Sequence, residues 1–269
     1  MLKTRIITAI ILVAVFIPAL FMLSNPYWAY GMLAMTLLAL NEWARMIQFS
    51  TKQRTIYLVL AAVAGLIAVQ MLQQQGFHWF FFQSLHIFFI VALFWTLIVP
   101  IWLAKKWLVN KYALALLGLL LMTSIWLALI CAKGADPILL LALLATIWIA
   151  DCAAYFVGKN FGKHKLAPTI SPGKTWEGVF GALVAATFFG VILYFAYNIN
   201  NFAIFPLLWL ITGFGVIGDL FESMLKRQAN IKDSGYLLPG HGGILDRIDG
   251  IIPSLPIAIL MIYAYNLWW

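Results

Sequence analysis

Apolar residues form long, nearly unbroken runs along this chain, and polar residues collect between them. Nine runs have about 18 residues or more, enough for a helix to cross a hydrocarbon core of about 30 Å. They cover residues 6–23, 26–44, 55–72, 80–103, 112–130, 137–157, 176–197, 203–221 and 251–268. The second and eighth runs are the least clear by length. The pattern predicts an all-α, polytopic integral membrane protein with about nine transmembrane helices.

Composition and charge support this class and orient it. Hydrophobic residues make up 64% of the chain and charged residues 10%, which excludes an ordinary soluble domain. A net charge of +8 could indicate nucleic-acid binding. However, a cytoplasmic N-terminus places 16 of the 17 basic residues on the inner side, with only Lys133 outside. The positive-inside rule explains this bias without a nucleic-acid partner. We therefore expect a multi-pass protein of the cell membrane with a cytoplasmic N-terminus and an outer C-terminus.

The two halves of the chain differ in polarity, although we predict a single membrane domain over residues 1–269. Residues 1–135 contain few ionisable groups at membrane depth. Glu42 and Arg45 are three residues apart on the second run and are expected to pair at the interface. From residue 136 onward, acidic and basic groups gather at one level, which predicts that the catalytic spans and loops lie in this half.

Residues 218–250 contain nine of the 26 charged residues. Acidic groups at membrane depth are costly and usually functional. Four polar positions at and just past the inner end of the eighth run share one helical face: Asp219, Glu222, Ser223 and Lys226. We expect this helix to continue to Ile231 and to stop near Gly235. The polar face fits a pocket, or alternatively a network of surface ion pairs.

A glycine-rich loop precedes the ninth run. Gly242 and Gly243 allow close backbone approach to a ligand and expose N–H groups. Asp246 and Asp249 would face the same way on a short helical turn. Carboxylates without matching cysteines or several histidines suit Mg²⁺ rather than Zn²⁺. The loop therefore predicts a magnesium site beside the start of a helix, where anions are also favoured.

A second polar motif covers residues 171–178. Ser171, Lys174 and Thr175 lie just before a helix, a position that favours anions. The motif imitates the end of a P-loop, but Pro168 occupies the place of the first glycine. Asp151 lies near the inner end of the sixth run. Together these groups predict a cytoplasmic-face site for phosphoryl or nucleotidyl transfer to a phosphorylated lipid.

Both motifs resemble those of phosphatidate cytidylyltransferases, also called CDP-diacylglycerol synthases. The first signature reads Ser223-x-Leu225-Lys226-Arg227, Lys232-Asp233-x-Gly235, and Leu238-Pro239-x-His241-Gly242-Gly243-Ile244-x-Asp246-Arg247-Ile248-Asp249. The second reads Asp151-x-x-Ala154-Tyr155, Gly158, and Ser171-Pro-x-Lys174-Thr175-x-Glu177-Gly178. These motifs cover about residues 151–250. The earlier half is similar only in its hydrophobic, multi-span character.

The resemblance implies transfer of CMP from CTP to phosphatidic acid, giving CDP-diacylglycerol and pyrophosphate. It also implies Mg²⁺, a second, monovalent cation and a homodimer. The implied metal ligands are Asp219 and Asp246 first, then Asp249 and Asp151. The implied phosphate-binding groups are Lys226, Arg227, Lys232, Arg247, Ser171, Lys174 and Thr175. Gly242, Gly243 and Asp233 complete the predicted substrate site. His241 would shape the loop or contact phosphate, with a role as a catalytic base as the alternative.

Two other functions remain as alternatives. A CDP-alcohol phosphatidyltransferase would carry the signature D-G-x2-A-R-x8-G-x3-D-x3-D, whereas Asp246 and Asp249 are three apart rather than four. An ion-coupled transporter could use Asp151 and Asp219 as coupling sites. Its acids would be expected near the midplane rather than at one membrane face. The cytidylyltransferase is therefore the preferred prediction.

Overall fold

The computed structural model describes residues 2–197, 201–235, 237 and 242–265, and it describes their side chains except for those of residues 2–7 and 9. The helices are α1 (Leu2–Met22), α2 (Asn25–Met46), α3 (Thr51–Leu93), a π-helical turn (Phe94–Ile98), α4 (Val99–Lys105), α5 (Lys111–Ala135), α6 (Pro137–Phe161), α7 (Trp176–Ala196), α8 (Ile204–Gln228), α9 (Leu245–Ile248) and α10 (Ile251–Tyr265). The strands are β1 (Lys165–Ala167) and β2 (Ser171–Thr175). The protein is thus essentially all-α, as predicted.

All nine apolar runs fall within helices over their described residues, apart from single residues at their ends. Six helices of the described chain are long and apolar enough to cross a membrane, so the predicted count of nine is not confirmed. Two of the runs lie in one of these six, Thr51–Lys105, on either side of a break at Gly76. Gly76 has a left-handed φ of 84°, which glycine adopts without steric cost. Helix α2, which ends in a polar stretch, is not one of the six.

Small residues let α7 pack closely against its neighbours. Gly178, Ala182, Ala186 and Gly190 recur every fourth residue and are buried. A methyl group on Gly178 would lie 2.8 Å from the carbonyl oxygen of Ala154 on α6. Stripes of small residues permit this close approach of membrane helices. The packing places the C-terminal part of α6, from about one turn after Asp151, beside the start of α7.

A similarly close crossing joins α8 to the start of α10. A methyl group on Gly218 would overlap the carbonyl oxygen of Asp249, and one on Gly250 would lie 3.4 Å from Gly215 Cα. Because no side chain separates the two backbones here, the turn between α9 and α10 lies directly against α8. The crossing therefore brings two distant parts of the sequence to one place.

Helix α8 ends earlier than its sequence predicts. Its last helical residue is Gln228, not Ile231. Asn230 adopts a left-handed φ of 57°, and the N–H groups of Asn230 and Ile231 donate to the carbonyls of Arg227 and Lys226. This is the Schellman arrangement, which satisfies the last carbonyls and turns the chain. The chain therefore turns back towards α8 sooner than expected.

A short hairpin, β1–β2, occupies the loop between α6 and α7, where the sequence predicted no regular structure. Its strands are antiparallel, with Lys165 opposite Thr175 and Ala167 opposite Ser171. The carboxylate of Glu177 accepts the backbone N–H of His164 at 3.2 Å and lies 2.7 Å from its Nδ1. The hairpin therefore starts and ends against α7, and Lys174 sits on its second strand.

Candidate active site

Three charged side chains form a buried cluster between α8 and α9. Lys226 Nζ lies 2.6 Å from Asp246 Oδ1 and 3.1 Å from Glu222 Oε2. Each of the three side chains is at most 10% exposed. Glu222 and Lys226 are one turn apart on α8, and α9 is the short helical turn predicted for Asp246. The polar face of α8 thus points into the protein, towards α9.

The second oxygen of Asp246 holds the chain on both sides of the glycine-rich loop. Asp246 Oδ2 accepts the backbone N–H of Ser234 at 3.0 Å, its hydroxyl at 3.0 Å and the N–H of Gly243 at 2.9 Å. Gly242 has a left-handed φ of 81°, and a methyl group there would lie 2.8 Å from Asp246 Oδ2. The two glycines therefore allow the backbone to approach this carboxylate. Both oxygens of Asp246 are engaged by protein groups.

An ion pair joins the two sequence motifs. Lys174 Nζ, on β2, lies 2.7 Å from Asp219 Oδ2 on α8. The hydroxyl of Ser223, one turn along α8, donates to Asp219 Oδ1 at 3.2 Å. Asp219 keeps a side-chain exposure of 40%, whereas Lys174 is 22% exposed. The structure therefore brings β2 and α8, which carry parts of the two motifs, into one site, and the Asp219 carboxylate there remains partly accessible.

Two further predicted acids lie at the same place. Asp249 is close enough to Asp219 and Glu222 to interact electrostatically with both, and its Oδ1 accepts the N–H of Gly250 at 2.8 Å. Asp151, on α6, interacts electrostatically with Asp219, Lys174 and Arg247. Acids from α6, from α8 and from the turn between α9 and α10 therefore converge, as the sequence predicted.

The remaining predicted residues differ in their placement. Arg227 is exposed in the last turn of α8, and its guanidinium donates to the carbonyl oxygen of Ile231 at 3.4 Å. Lys232 and Asp233 are exposed beyond the end of this helix. Arg247 is exposed on α9. Arg247 interacts electrostatically with Asp151.

Two hydroxyls and the histidine complete the predicted set. Thr175 is buried, and its hydroxyl oxygen accepts the N–H of Gly178 at 3.2 Å as the N-cap of α7. Ser171 is half-buried on β2. His241 lies outside the described residues. Thr175 therefore stabilises the helix start, a role typical of this residue type.

The donor set fits a hard cation. Within the described ranges, no group of three or more His, Cys, Asp or Glu side chains is arranged as a metal site. The site nevertheless contains more carboxylates than cations: Asp151, Asp219, Glu222, Asp246 and Asp249 against Lys174, Lys226 and Arg247. Glu222 Oε1 is buried and accepts no N–H or hydroxyl hydrogen bond in the part of the chain that the structure describes, and the Glu222 carboxyl lies close to that of Asp249. Carboxylate oxygens with surplus negative charge are suitable ligands for Mg²⁺.

Sequence reasoning missed the role of one acid in the first half of the chain. Glu42, on α2, was expected to pair with Arg45, but Arg45 is exposed and the described side chains show no ion pair between them. Instead, Glu42 is 1% exposed, and its Oε2 accepts the hydroxyl of Ser234 and the N–H of Leu245. An acid inside an apolar helix was the available signal. Its partners lie about 200 residues away and could not be identified from spacing.

Comparison with known proteins places this site in a family. The model of the cytidylyltransferase family matches residues 3–265. The chain belongs to this family. Since the match extends over nearly all residues, membership includes the N-terminal helices, where the sequence motifs had no counterpart.

Named relatives are similar over the same extent. Phosphatidate cytidylyltransferase from Pseudomonas aeruginosa is 35% identical over 98% of each chain. The enzymes of the same name from Haemophilus influenzae and Staphylococcus haemolyticus are 36% and 31% identical. The similarity to the Haemophilus influenzae enzyme extends over 95% of this chain and 96% of that enzyme. The similarity to the Staphylococcus haemolyticus enzyme extends over 97% and 98%, respectively. Together with the apolar helices, these similarities identify a multi-pass membrane cytidylyltransferase.

Proposed function

We propose that this cytidylyltransferase transfers CMP from CTP to phosphatidic acid, giving CDP-diacylglycerol and pyrophosphate. The full-length similarity to phosphatidate cytidylyltransferases supports this substrate pair. The observation that carries the proposal at residue level is the junction of α8, α9 and β2. There, Lys226 contacts Asp246 and Lys174 contacts Asp219. Cations and carboxylates side by side are what phosphate groups and their counterion require.

The proposed reaction is a direct displacement. An anionic oxygen of the phosphatidate phosphate attacks the α-phosphorus of CTP, and a new oxygen–phosphorus bond forms. The bond from the α-phosphorus to the bridging oxygen breaks, and its electron pair leaves with pyrophosphate. The attacking oxygen carries no proton, so the protein supplies positioning and charge neutralisation rather than a base.

Basic side chains of this site would perform those tasks. Lys174 and Lys226 are held by carboxylates, which fixes their ammonium groups in place before substrate arrives. Such preorganised charge needs no reorganisation during the reaction. Arg227, Lys232 and Arg247, exposed around the cluster, would bind the triphosphate or the lipid phosphate as it enters.

Magnesium is the proposed cofactor, together with a second, monovalent cation. Asp219 and Asp249 are the first proposed ligands, because Asp219 is partly accessible and the two carboxyl groups are close enough to interact electrostatically. Asp246 and Asp151 stay in the proposed ligand set, although both oxygens of Asp246 accept hydrogen bonds from the protein. Bound Mg²⁺ would neutralise charge on the triphosphate.

A radiolabel experiment tests the reaction. Purified protein in detergent receives phosphatidic acid, MgCl₂ and CTP labelled at either the α- or the γ-phosphorus. CMP transfer puts the α-label in the lipid fraction and the γ-label in pyrophosphate. A lipid product carrying the γ-label would indicate a kinase instead. If no α-labelled lipid forms while the Haemophilus influenzae enzyme produces it in parallel, the proposed function is wrong.

We also propose that the site faces the cytoplasm and that the protein forms a homodimer. The distribution of basic residues supports the orientation. In a variant lacking Cys131 and Cys152, an impermeant maleimide should label Asn201→Cys in intact cells. It should label Lys165→Cys only after the cells are broken, and the reverse pattern would overturn the orientation.

Light scattering of the purified protein in detergent tests the proposed homodimer, and a monomer mass would contradict it.

A further inference from the structure

Glu42 connects the N-terminal half of the protein to the active site. Its Oε2 accepts the Ser234 hydroxyl at 3.2 Å and the backbone N–H of Leu245 at 3.0 Å. Ser234 precedes the glycine-rich loop and Leu245 begins α9 after it. A single carboxylate from α2 therefore contacts the chain on both sides of this loop.

The packing around Glu42 is tight on both sides. A methyl group on Gly235 would overlap Glu42 Oε1, and one on Gly243 would overlap both Glu42 Oε2 and the hydroxyl of Ser234. Such contacts leave no space for a side chain at either glycine. The glycines thus allow the loop backbone to reach Glu42, and the position of the backbone depends on that contact.

The hydroxyl of Ser234 lies between two carboxylates. Ser234 Oγ is 3.2 Å from Glu42 Oε2 and 3.0 Å from Asp246 Oδ2. A serine hydroxyl has one proton to donate, so the two acids share it. Asp246 in turn binds the ammonium group of Lys226 through its other oxygen. A continuous polar path therefore runs from Glu42 to Lys226.

A carboxylate is a costly residue at this position. Glu42 is 1% exposed, and no basic side chain among the described residues forms an ion pair with it. Its Oε1 has no hydrogen-bond partner in the described ranges. An apolar residue of similar volume would avoid the penalty of burying a polar group. The hydrogen bonds that Glu42 Oε2 accepts from Ser234 and Leu245 are therefore the best explanation for an acid at this position.

We propose that Glu42 is a positioning residue for the transfer reaction. It fixes Ser234 and the start of α9, and through them it sets the position of the Asp246 carboxylate and the Lys226 ammonium. The inference rests on the proposed function, since Lys226 and Asp246 are its assumed reaction partners. It also assigns a task to α2, which contains none of the motif residues.

Kinetics of three variants test this role in the full-length protein. Glu42→Ala removes the acceptor and should lower kcat about 10- to 100-fold, as is typical when the support of a site is lost. Glu42→Gln keeps a carbonyl oxygen that can accept from Ser234 and Leu245, so it should restore most of the activity. Arg45→Gln, on the same helix but exposed, is the matched control and should keep wild-type kcat. Thermal unfolding in detergent, measured alongside, shows whether assays ran on folded protein.

Ser234→Ala provides a second, independent measurement. It removes the shared hydroxyl but leaves the backbone N–H of Ser234 bound to Asp246. It should lower kcat with little change in the unfolding midpoint. Combined with Glu42→Ala, the loss should be smaller than the product of the two separate losses, because both act through one path.

Several outcomes would overturn the proposal. Wild-type kcat in Glu42→Ala or Ser234→Ala would do so, and so would strictly multiplicative losses in the double variant. Equal losses in Glu42→Gln and Glu42→Ala would show that accepting hydrogen bonds is not the role. If Glu42→Ala fails to fold, Ser234→Ala decides alone. Absence of product from the wild-type protein would instead contradict the proposed function itself.

Discussion

Removal of the Lys226 charge tests the buried cluster most directly. Lys226→Met keeps the length of the side chain but leaves Asp246 and Glu222 without their cation. The distances of 2.6 and 3.1 Å correspond to about 6 and about 5 kcal/mol of attraction at an effective dielectric constant of about 20. Desolvation of the three charges offsets much of this attraction. We therefore expect a net loss of about 3–5 kcal/mol in the free energy of unfolding, as found when one partner of a buried pair is removed.

Thermal unfolding in detergent measures this loss. At about 2–4 °C per kcal/mol for a chain of this size, Lys226→Met should lower the unfolding midpoint by about 10 °C. Lys52→Met, at an exposed position near the start of α3, is the matched control. Because surface substitutions usually change stability by no more than about 0.5 kcal/mol, its midpoint should stay close to that of the wild type.

A second substitution separates charge from packing. Glu222→Gln in the Lys226→Met background removes one of the two carboxylates left without a cation. It should recover part of the lost stability, because less negative charge remains buried. Equal midpoints for Lys226→Met and Lys52→Met would refute the reasoning. So would a double variant no more stable than Lys226→Met, since the loss would then come from packing.

Three further predictions concern other parts of the molecule. Asp219→Ala should abolish turnover in the CTP assay yet change stability by less than about 1 kcal/mol, because its ion pair is partly exposed; retained turnover would remove it from the site. Gly243→Ala should reduce both stability and activity, since its methyl group would overlap Glu42, whereas Gly173→Ala has open space and should leave the unfolding midpoint unchanged; similar unfolding midpoints would contradict the packing. Lys133→Met should lower the unfolding midpoint, since its buried ammonium donates to Leu23 and Asn25. It should leave kcat unchanged in folded protein, and a lower kcat would show that this distant end influences the site.

The helices could be predicted because membrane insertion imposes a local rule. A run of apolar residues long enough to cross the bilayer must satisfy its backbone hydrogen bonds internally, which requires a helix. Helix ends were harder to predict. The stop at Gln228 depends on the left-handed Asn230 and the carbonyls it satisfies, not on hydropathy. Hydropathy separated the runs 55–72 and 80–103. It did not show that both belong to one helical stretch, Thr51–Lys105, with a break at Gly76.

The site was predictable as a set of residue types but not as a set of contacts. Helical spacing placed Glu222 and Lys226 on one face, and this pair is present. The spacing could not show that both carboxylate oxygens of Asp246 would accept hydrogen bonds from the protein. Nor could it show that the Thr175 side chain would cap a helix. Both facts depend on the turns of the backbone around these residues.

By itself, the sequence determined the membrane class, the helical segments and the motifs that resemble phosphatidate cytidylyltransferases. These follow from local periodicity and from short spacings within single elements. Tertiary structure alone decided which charges meet: Lys174 with Asp219 and Lys226 with Asp246. It alone brought Glu42 to a serine 192 residues away. The physical reason is that such pairings depend on how closely helices cross, and glycines at the crossings set that distance.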